Sequence, residues 1–328
     1  MEKPKVIIGA DISKRSIDLS VHPHGEHLRI SNDPPGFKQV IQLLRKLKLR
    51  SNGLIMVMEY TGWYSSNFER FLFKRGIPFS KVNPVDIKYS IGVTRGKSDK
   101  VDASRIARYA AEKLDRLKIY EAPSKSLEDL SMLNTSRDKL VRTRAGLKNS
   151  IEMFKNAGLS DSHTAVQSQL RIIKALDKEI KKLDHQIEET IKQEERLKKN
   201  YDLLTSIKGV GPVVATNVLV KTKNFTRFTN SRKFACYCGV APFEHSSGTS
   251  IQGKRRVSHM ADKHMKTLLN LAAQIAIQRD PELQKFYQRK VDSGYAKMSA
   301  LNIIRNKLLG RMFAVIKRQT PYCLIYAA

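Results

Sequence analysis

Two short apolar runs each end in a carboxylate: Val6-Ile7-Ile8-Gly9-Ala10-Asp11 and Leu54-Ile55-Met56-Val57-Met58-Glu59. Apolar runs of this length read as short strands. An acid at the carboxyl end of such a strand lies where open α/β sheets build their sites. A lone acid there is weak evidence, but the pattern occurs twice.

A third acidic stretch reads Gly-Lys-Ser-Asp-Lys-Val-Asp-Ala-Ser-Arg-Ile-Ala-Arg-Tyr-Ala-Ala over residues 96–111. Its composition predicts a helix with Ser98 or Asp99 as N-cap, and Asp99 and Asp102 project from one face of the first turn. The positive end of the helix dipole relieves part of their repulsion. A capped helix with an acidic first turn accounts for this segment by itself. With Asp11 and Glu59 added, the four acids form an all-oxygen set suited to two Mg²⁺ ions, as in enzymes that cut or transfer phosphodiesters.

The rest of the first hundred residues predicts the order βββαβαβα. Strands are expected at 6–11, 16–21 and 27–31, with a turn at Pro23, His24 and Gly25. Asn32-Asp33-Pro34-Pro35 ends this sheet section and caps a helix near 36–48, whose apolar face is Phe37, Val40, Ile41 and Leu44. The strand ending at Glu59, a helix near 63–75 and a strand near 78–82 follow.

Charge points to the partner. Sixty Lys and Arg against 31 Asp and Glu give a net charge of +29, which favours a polyanion, with nucleic acid foremost. No stretch has the 18 or so apolar residues of a spanning helix, so no membrane role is expected. Met1 to Lys5 lacks a signal-peptide layout, and Cys236, Cys238 and Cys323 do not suit a disulfide framework or a zinc cluster, so a reducing cytoplasm is expected.

Residues 125–199 change period. Leu133, Leu140, Leu147 and Phe154 recur every seventh position, and Ile173, Leu176, Ile180, Leu183 and Ile187 follow 3,4 spacing, which predicts a coiled-coil helical hairpin around a loop at 156–168. A self-contained pair and an intermolecular coiled coil fit equally. From residue 200 a mainly helical domain is expected. Leu203 to Ala215 reads as helix, Gly-x-Gly turn, then helix with Pro at its start, the helix-hairpin-helix style of backbone contact, with Lys208, Gly209 and Gly211 nearest a phosphate. A turn that merely joins two packed helices fits as well. Next come Phe234 to Pro242 and then His245-Ser246-Ser247-Gly248-Thr249-Ser250, followed by Lys254, Arg255 and Arg256. This stretch reads as a flexible polar turn or as a phosphate-holding hydroxyl segment. Two helices close the chain, 258–278 and 300–317. His259 and His264 are structural or phosphate-contacting. Tyr120, Tyr201 and Tyr237 suit core positions or stacking on bases.

Gly9-Ala10-Asp11, Met58-Glu59-Tyr60-Thr61-Gly62-Trp63-Tyr64, Val82-Asn83-Pro84 and Ser98-Asp99-Lys100-Val101-Asp102-Ala103 resemble the DEDD transposases of the insertion sequence 110 family. Tyr60 stands where alanine is usual, and Ser98 where threonine is usual. The resemblance implies an α/β ribonuclease-H-like, RuvC-like domain over 1–124, the helical hairpin over 125–199 and a carboxy-terminal transposase domain over 200–328. It implies that Asp11, Glu59, Asp99 and Asp102 bind metal. Aligning Gly239 and Pro242 with the family's Gly-x-x-Pro segment makes Ser247 its nucleophile, with Ser246 one residue away. It further implies a cytoplasmic, nucleoid-associated recombinase guided by a structured noncoding RNA that pairs with donor and target DNA. A dimer assembling to a tetramer on DNA is expected. A junction-cutting nuclease that uses water, or a non-catalytic nucleic-acid binder, would account for parts of the same pattern.

Overall fold

A computed structural model describes residues 4–60, 62–90, 92, 98–228, 230–247 and 251–323, without the side chains of 52, 244–247 and 251–255. The chain forms two compact units, residues 1–122 and 123–328.

The first unit opens with an antiparallel meander, β1 (Val6–Ile12), β2 (Ser16–His22) and β3 (His27–Ser31). The helix α1 (Pro34–Lys46) follows. Its start is fixed by Asp33, whose Oδ1 accepts from the Gly36 N–H at 2.9 Å, with proline in the first turn where the missing N–H costs nothing. The chain returns as β4 (Leu54–Glu59), α2 (Ser66–Lys74), β5 (Phe79–Val82), α3 (Pro84–Ser90) and α4 (Asp99–Glu112). Sheet order is β3-β2-β1-β4-β5, with β4 parallel to both β1 and β5. Three antiparallel strands extended by two parallel ones make the ribonuclease-H-like arrangement expected of this segment.

Both faces of the sheet are covered, which explains the unbroken apolar runs. Val6, Ile8, Ala10 and Ile12 pack with Phe37, Val40 and Leu44 of α1 and Phe68 and Leu72 of α2. Ile7, Ile55 and Val57 face the other way and pack with Ile106, Tyr109 and Ala110 of α4. Tyr120 stacks on Phe79, ring centroids 4.8 Å apart, and so serves the core of this unit.

The second unit begins with α5 (Lys125–Asn156) and α6 (Thr164–Lys192), an antiparallel helical pair. Ser124 and His163 cap their starts, each accepting from a backbone N–H of the first turn. Ile151, Val166 and Ile173 are buried where the pair turns around. Arg137 pairs with Asp184, and Arg144 with Asp177 at 2.6 Å. Leu133, Leu140, Leu147 and Phe154 are only half-buried, whereas Ile173, Ile180 and Ile187 are buried. The open end of the pair is not free: Leu127, Leu130, Ile187 and Ile191 join the core of the remaining helices. Those helices are α7 (Glu195–Thr205), α8 (Pro212–Thr222), α9 (Ser231–Tyr237), α10 (Lys263–Arg279), α11 (Pro281–Asp292) and α12 (Lys297–Arg318). Tyr201 packs against this core.

Between α9 and α10 the polar stretch forms paired strands, β6 (Pro242–Ser247) and β7 (Ile251–Val257), antiparallel with an irregularity between Phe243 and His245. The sequence reading predicts no strands here, and residues 248–250 between them lie outside the described residues. No described helix is long and apolar enough to cross a membrane.

Candidate active site

Strand register gathers the acids. The parallel ladder pairs Ala10 with Met58, so one step further Asp11 stands beside Glu59. The antiparallel ladder pairs Asp11 directly with Asp18. Opposed residues on neighbouring strands share a face. Because Ile7 and Val57 bury on the α4 side, Asp11, Glu59 and Asp18 emerge on that side too.

α4 brings the other two. A Cβ on Gly9 would lie 2.2 Å from the Ala103 carbonyl oxygen and 2.5 Å from the Ala107 nitrogen, so the glycine lets the helix backbone rest on β1. The turn that precedes Ala103 carries Asp99 and Asp102, and Ser98 is the N-cap, its Oγ accepting from the Val101 N–H at 3.3 Å.

The electrostatics record the crowding. The Asp11 carboxyl is pushed up from the usual carboxylate range to about 6, first by burial and then by the negative charges of Asp102, Asp99 and Asp18, against a backbone hydrogen bond at Ile12. Asp18 is 2% exposed and held by His27, Nε2 to Oδ1 2.9 Å, and by Arg29 at 3.8 Å. Arg29 also reaches Asp99 at 3.6 Å, and Arg105 lies 2.9 Å from Asp102. Among the described residues no three His, Cys, Asp or Glu side chains converge closely enough to hold a metal ion. The donor set nevertheless suits one. It is all carboxylate oxygen, as Mg²⁺ prefers, and the negative charge that raises Asp11 is what a cation would neutralise.

Asp18 is the residue that sequence reasoning missed. Its signal was present: a turn at 13–15 followed by a strand sets residue 18 opposite residue 11.

The second unit carries the remaining expected residues. Gly209 has φ +92°, and a Cβ there would lie 2.5 Å from the Ala272 carbonyl oxygen, so its need for glycine comes from packing on α10. Gly211 is extended, with φ −89° as N-cap of α8, and has open space around it. Lys208 is exposed beside them. Ser246 and Ser247 lie in β6, paired with Gln252 and Ile251. The side chains of both serines, and of Lys254 and Arg255, lie outside the described residues, while Arg256 is exposed in β7. His264 is structural, with Nε2 2.8 Å from Asp138. Cys236, Cys238 and Cys323 are free, and burial raises the Cys238 thiol far above its ordinary value, leaving it unreactive.

Comparison with known proteins finds transposases. A DEDD-type transposase family model matches residues 8–154, and the model described as "Transposase IS116/IS110/IS902 family" matches 201–288. The chain is 26% identical to a pilin gene-inverting protein of Moraxella bovis, over 97% of this chain and 98% of that protein. It is 23% identical to the transposase for insertion sequence element IS1111A of Coxiella burnetii, over 81% of this chain and 79% of that one. T. thermophilus RuvC, solved in complex with a Holliday junction substrate, overlaps 35% of this chain at 13% identity with a TM-score of only 0.27.

Proposed function

The chain belongs to the IS110 family of transposases, and from that premise we propose that it exchanges DNA strands by serine attack on a phosphodiester, in a reaction that also uses an acidic metal site. The observation that carries this reading is Asp11, set beside Glu59 by strand register, whose carboxyl is pushed up to about 6 first by burial and then by the charges of Asp102, Asp99 and Asp18. A half-buried carboxylate with like charges near it fits a cation-binding role better than a structural one. Arg29 lies 3.6 Å from Asp99 and Arg105 2.9 Å from Asp102.

Asp11, Glu59, Asp99 and Asp102 would hold Mg²⁺, two ions as the family resemblance implies, and a bound cation would supply neutralisation of the charge that develops on oxygen as a phosphodiester is cut. Asp18, tied to His27 and Arg29, holds its place in the sheet and adds negative field rather than a ligand. Ser247, with Ser246 the neighbouring candidate, supplies the hydroxyl. Its oxygen bonds to phosphorus, the bridging P–O bond of the DNA strand breaks, and the departing sugar oxygen takes up a proton as the serine loses one. In the rejoining half, a sugar hydroxyl of the exchanged strand attacks the phosphoserine ester and the serine oxygen leaves, so bonds and protons balance.

Lys208, the free space at Gly211, Lys254, Arg255 and Arg256 are assigned to the nucleic-acid backbone. Gly209 is assigned to helix packing instead. The family resemblance implies a structured guide RNA alongside DNA, with sequence read by base pairing, and the net charge of +29 permits such a partner. Strand exchange needs paired sites, which fits a dimer that becomes a tetramer on DNA. The test is recombination between two element-bearing DNAs with the flanking RNA supplied, titrated with Mg²⁺. Product is expected from wild type and not from Asp11→Asn, Glu59→Gln or Asp102→Asn. Undiminished product from these variants would remove the acidic site from the reaction.

A further inference from the structure

A cavity of about 660 Å³ opens at the root of the β6–β7 hairpin, lined by the first half of α5, the end of α8 and the start of α10. Two hydrogen bonds tie together the chain just before and just after the hairpin. The Asp262 N–H donates to the Tyr237 carbonyl oxygen at 2.9 Å, and the Tyr237 hydroxyl donates to Asp262 Oδ2 at 3.0 Å.

The cavity wall holds more positive than negative charge. Of its two carboxylates, Asp262 pairs with Lys221 at 2.9 Å, and Asp138 lies 3.9 Å from the Arg137 guanidinium and 2.8 Å from the His264 ring. Lys139, Arg142 and Arg227 line the same space with no carboxylate in ion-pair range among the described residues. Arg227 instead lies over the Tyr237 and Phe228 rings, 5.1 Å from each centroid. Burial and the nearby Asp262 hold the Tyr237 phenol up to about 12, so it stays neutral and adds no charge that would repel an anion. Unanswered guanidinium groups on a concave surface match a phosphate, and a space of this volume admits one nucleotide.

We propose that this cavity seats one phosphodiester of a nucleic-acid strand, with its nucleoside, at the root of the hairpin that carries Ser247. The site extends the functional reading above, because it rests on nucleic acid being the substrate. It gives that reading an anchor within the second unit: the strand is gripped where the hairpin is clamped, close in sequence to the hydroxyl segment. Arg142 and Arg227 make the charge-assisted contacts, and Tyr237 offers a ring edge and a neutral hydroxyl.

The test uses the full chain and fluorescent oligo(dT) and oligo(rU) of equal length, with binding measured by anisotropy across a salt series. Arg142 and Arg227 are exposed, so Arg142→Gln, Arg227→Gln and their double variant leave the core intact. A charge-matched control is Arg171→Gln with Lys174→Gln, both exposed on α6 and outside the cavity. Each cavity variant is expected to weaken strand binding about tenfold, the scale of one charge-assisted hydrogen bond. Each should also lower the salt slope by about 0.7. A loss confined to oligo(dT) makes the occupant a DNA strand, and one confined to oligo(rU) makes it RNA. Equal losses in the cavity and control pairs would reduce the cavity to part of a diffuse positive field and overturn the proposal. If wild type binds neither oligonucleotide, it is the nucleic-acid reading itself that fails.

Discussion

Gly9→Ala probes the link between fold and chemistry at one atom. The added Cβ would stand 2.2 Å from the Ala103 carbonyl oxygen, 2.5 Å from the Ala107 nitrogen and 2.9 Å from the Ala107 Cβ. An ordinary carbon–oxygen contact is about 3.3 Å, so α4 must retreat by about 1 Å or β1 must bend. Two of the three clashing atoms are helix backbone and cannot rotate away. Overpacking of this kind costs about 1–3 kcal/mol, and the contact with main chain places the expectation at the upper end. The same displacement moves Asp99 and Asp102 away from Asp11, and a 1 Å error in such a constellation costs about a hundredfold in rate. Urea unfolding and Mg²⁺-dependent strand exchange measure the two effects separately. Gly25→Ala, at φ +75° with nothing near its would-be Cβ, is the comparison. It pays only left-handed backbone strain of about 1 kcal/mol and keeps full activity. Wild-type stability and activity in Gly9→Ala would refute the argument that close approach of α4 builds the site.

Other expectations follow from the same geometry. The Asp11 carboxyl sits near 6 when folded and near 3.8 otherwise, so the native state holds its proton more tightly and stability falls as pH rises from about 4 to 6. Asp11→Asn should therefore raise Tm at pH 7 but not at pH 4, while Mg²⁺ should stabilise wild type alone; thermal melts with and without the cation check both. Metal-dependent activity should climb through about pH 6 as Asp11 ionises. Since Asp18 contributes to that elevation, Asp18→Asn should shift the rise to lower pH in a rate profile; an unmoved profile would separate Asp18 from the site. In the second unit, Asp280 is 1% exposed and pairs with Arg311 at 2.5 Å. Arg311→Met, which among the described residues leaves that carboxylate only the Leu283 N–H and the Tyr322 hydroxyl as donors, should cost about 3 kcal/mol in denaturant unfolding.

The strands and their acids were legible because burial on both faces leaves an apolar run, and a carboxylate interrupts it visibly. Ser98 and Asp33 were legible as caps for the same local reason: the cap bonds only its own first turn. Asp18 was missed because its importance lies in the register with Asp11, which has to be counted from the turn at 13–15 and is not read from β2 alone. Gly209 reads like a phosphate-approach glycine, yet the contact that demands it comes from Ala272 and Ala276, more than sixty residues away. The β6–β7 pairing left no periodic signal, since Pro-Phe-Glu-His-Ser-Ser and Ile-Gln-Gly-Lys-Arg-Arg-Val lack clean alternation. The cavity at Tyr237 joins α5 to α8 and α10, and only the folded chain brings Arg142 and Arg227 to one wall.

The central claim is that a serine of the hairpin attacks DNA with the help of the acids. The most direct measurement incubates the protein with Mg²⁺, flanking RNA and end-labelled element DNA, then resolves the mixture under denaturing conditions. A covalent protein–DNA species formed by wild type, absent in Ser247→Ala and in Asp11→Ala, is the result this account predicts. Cut DNA with no such species, at equal rates in wild type and Ser247→Ala, would contradict it and make water the nucleophile.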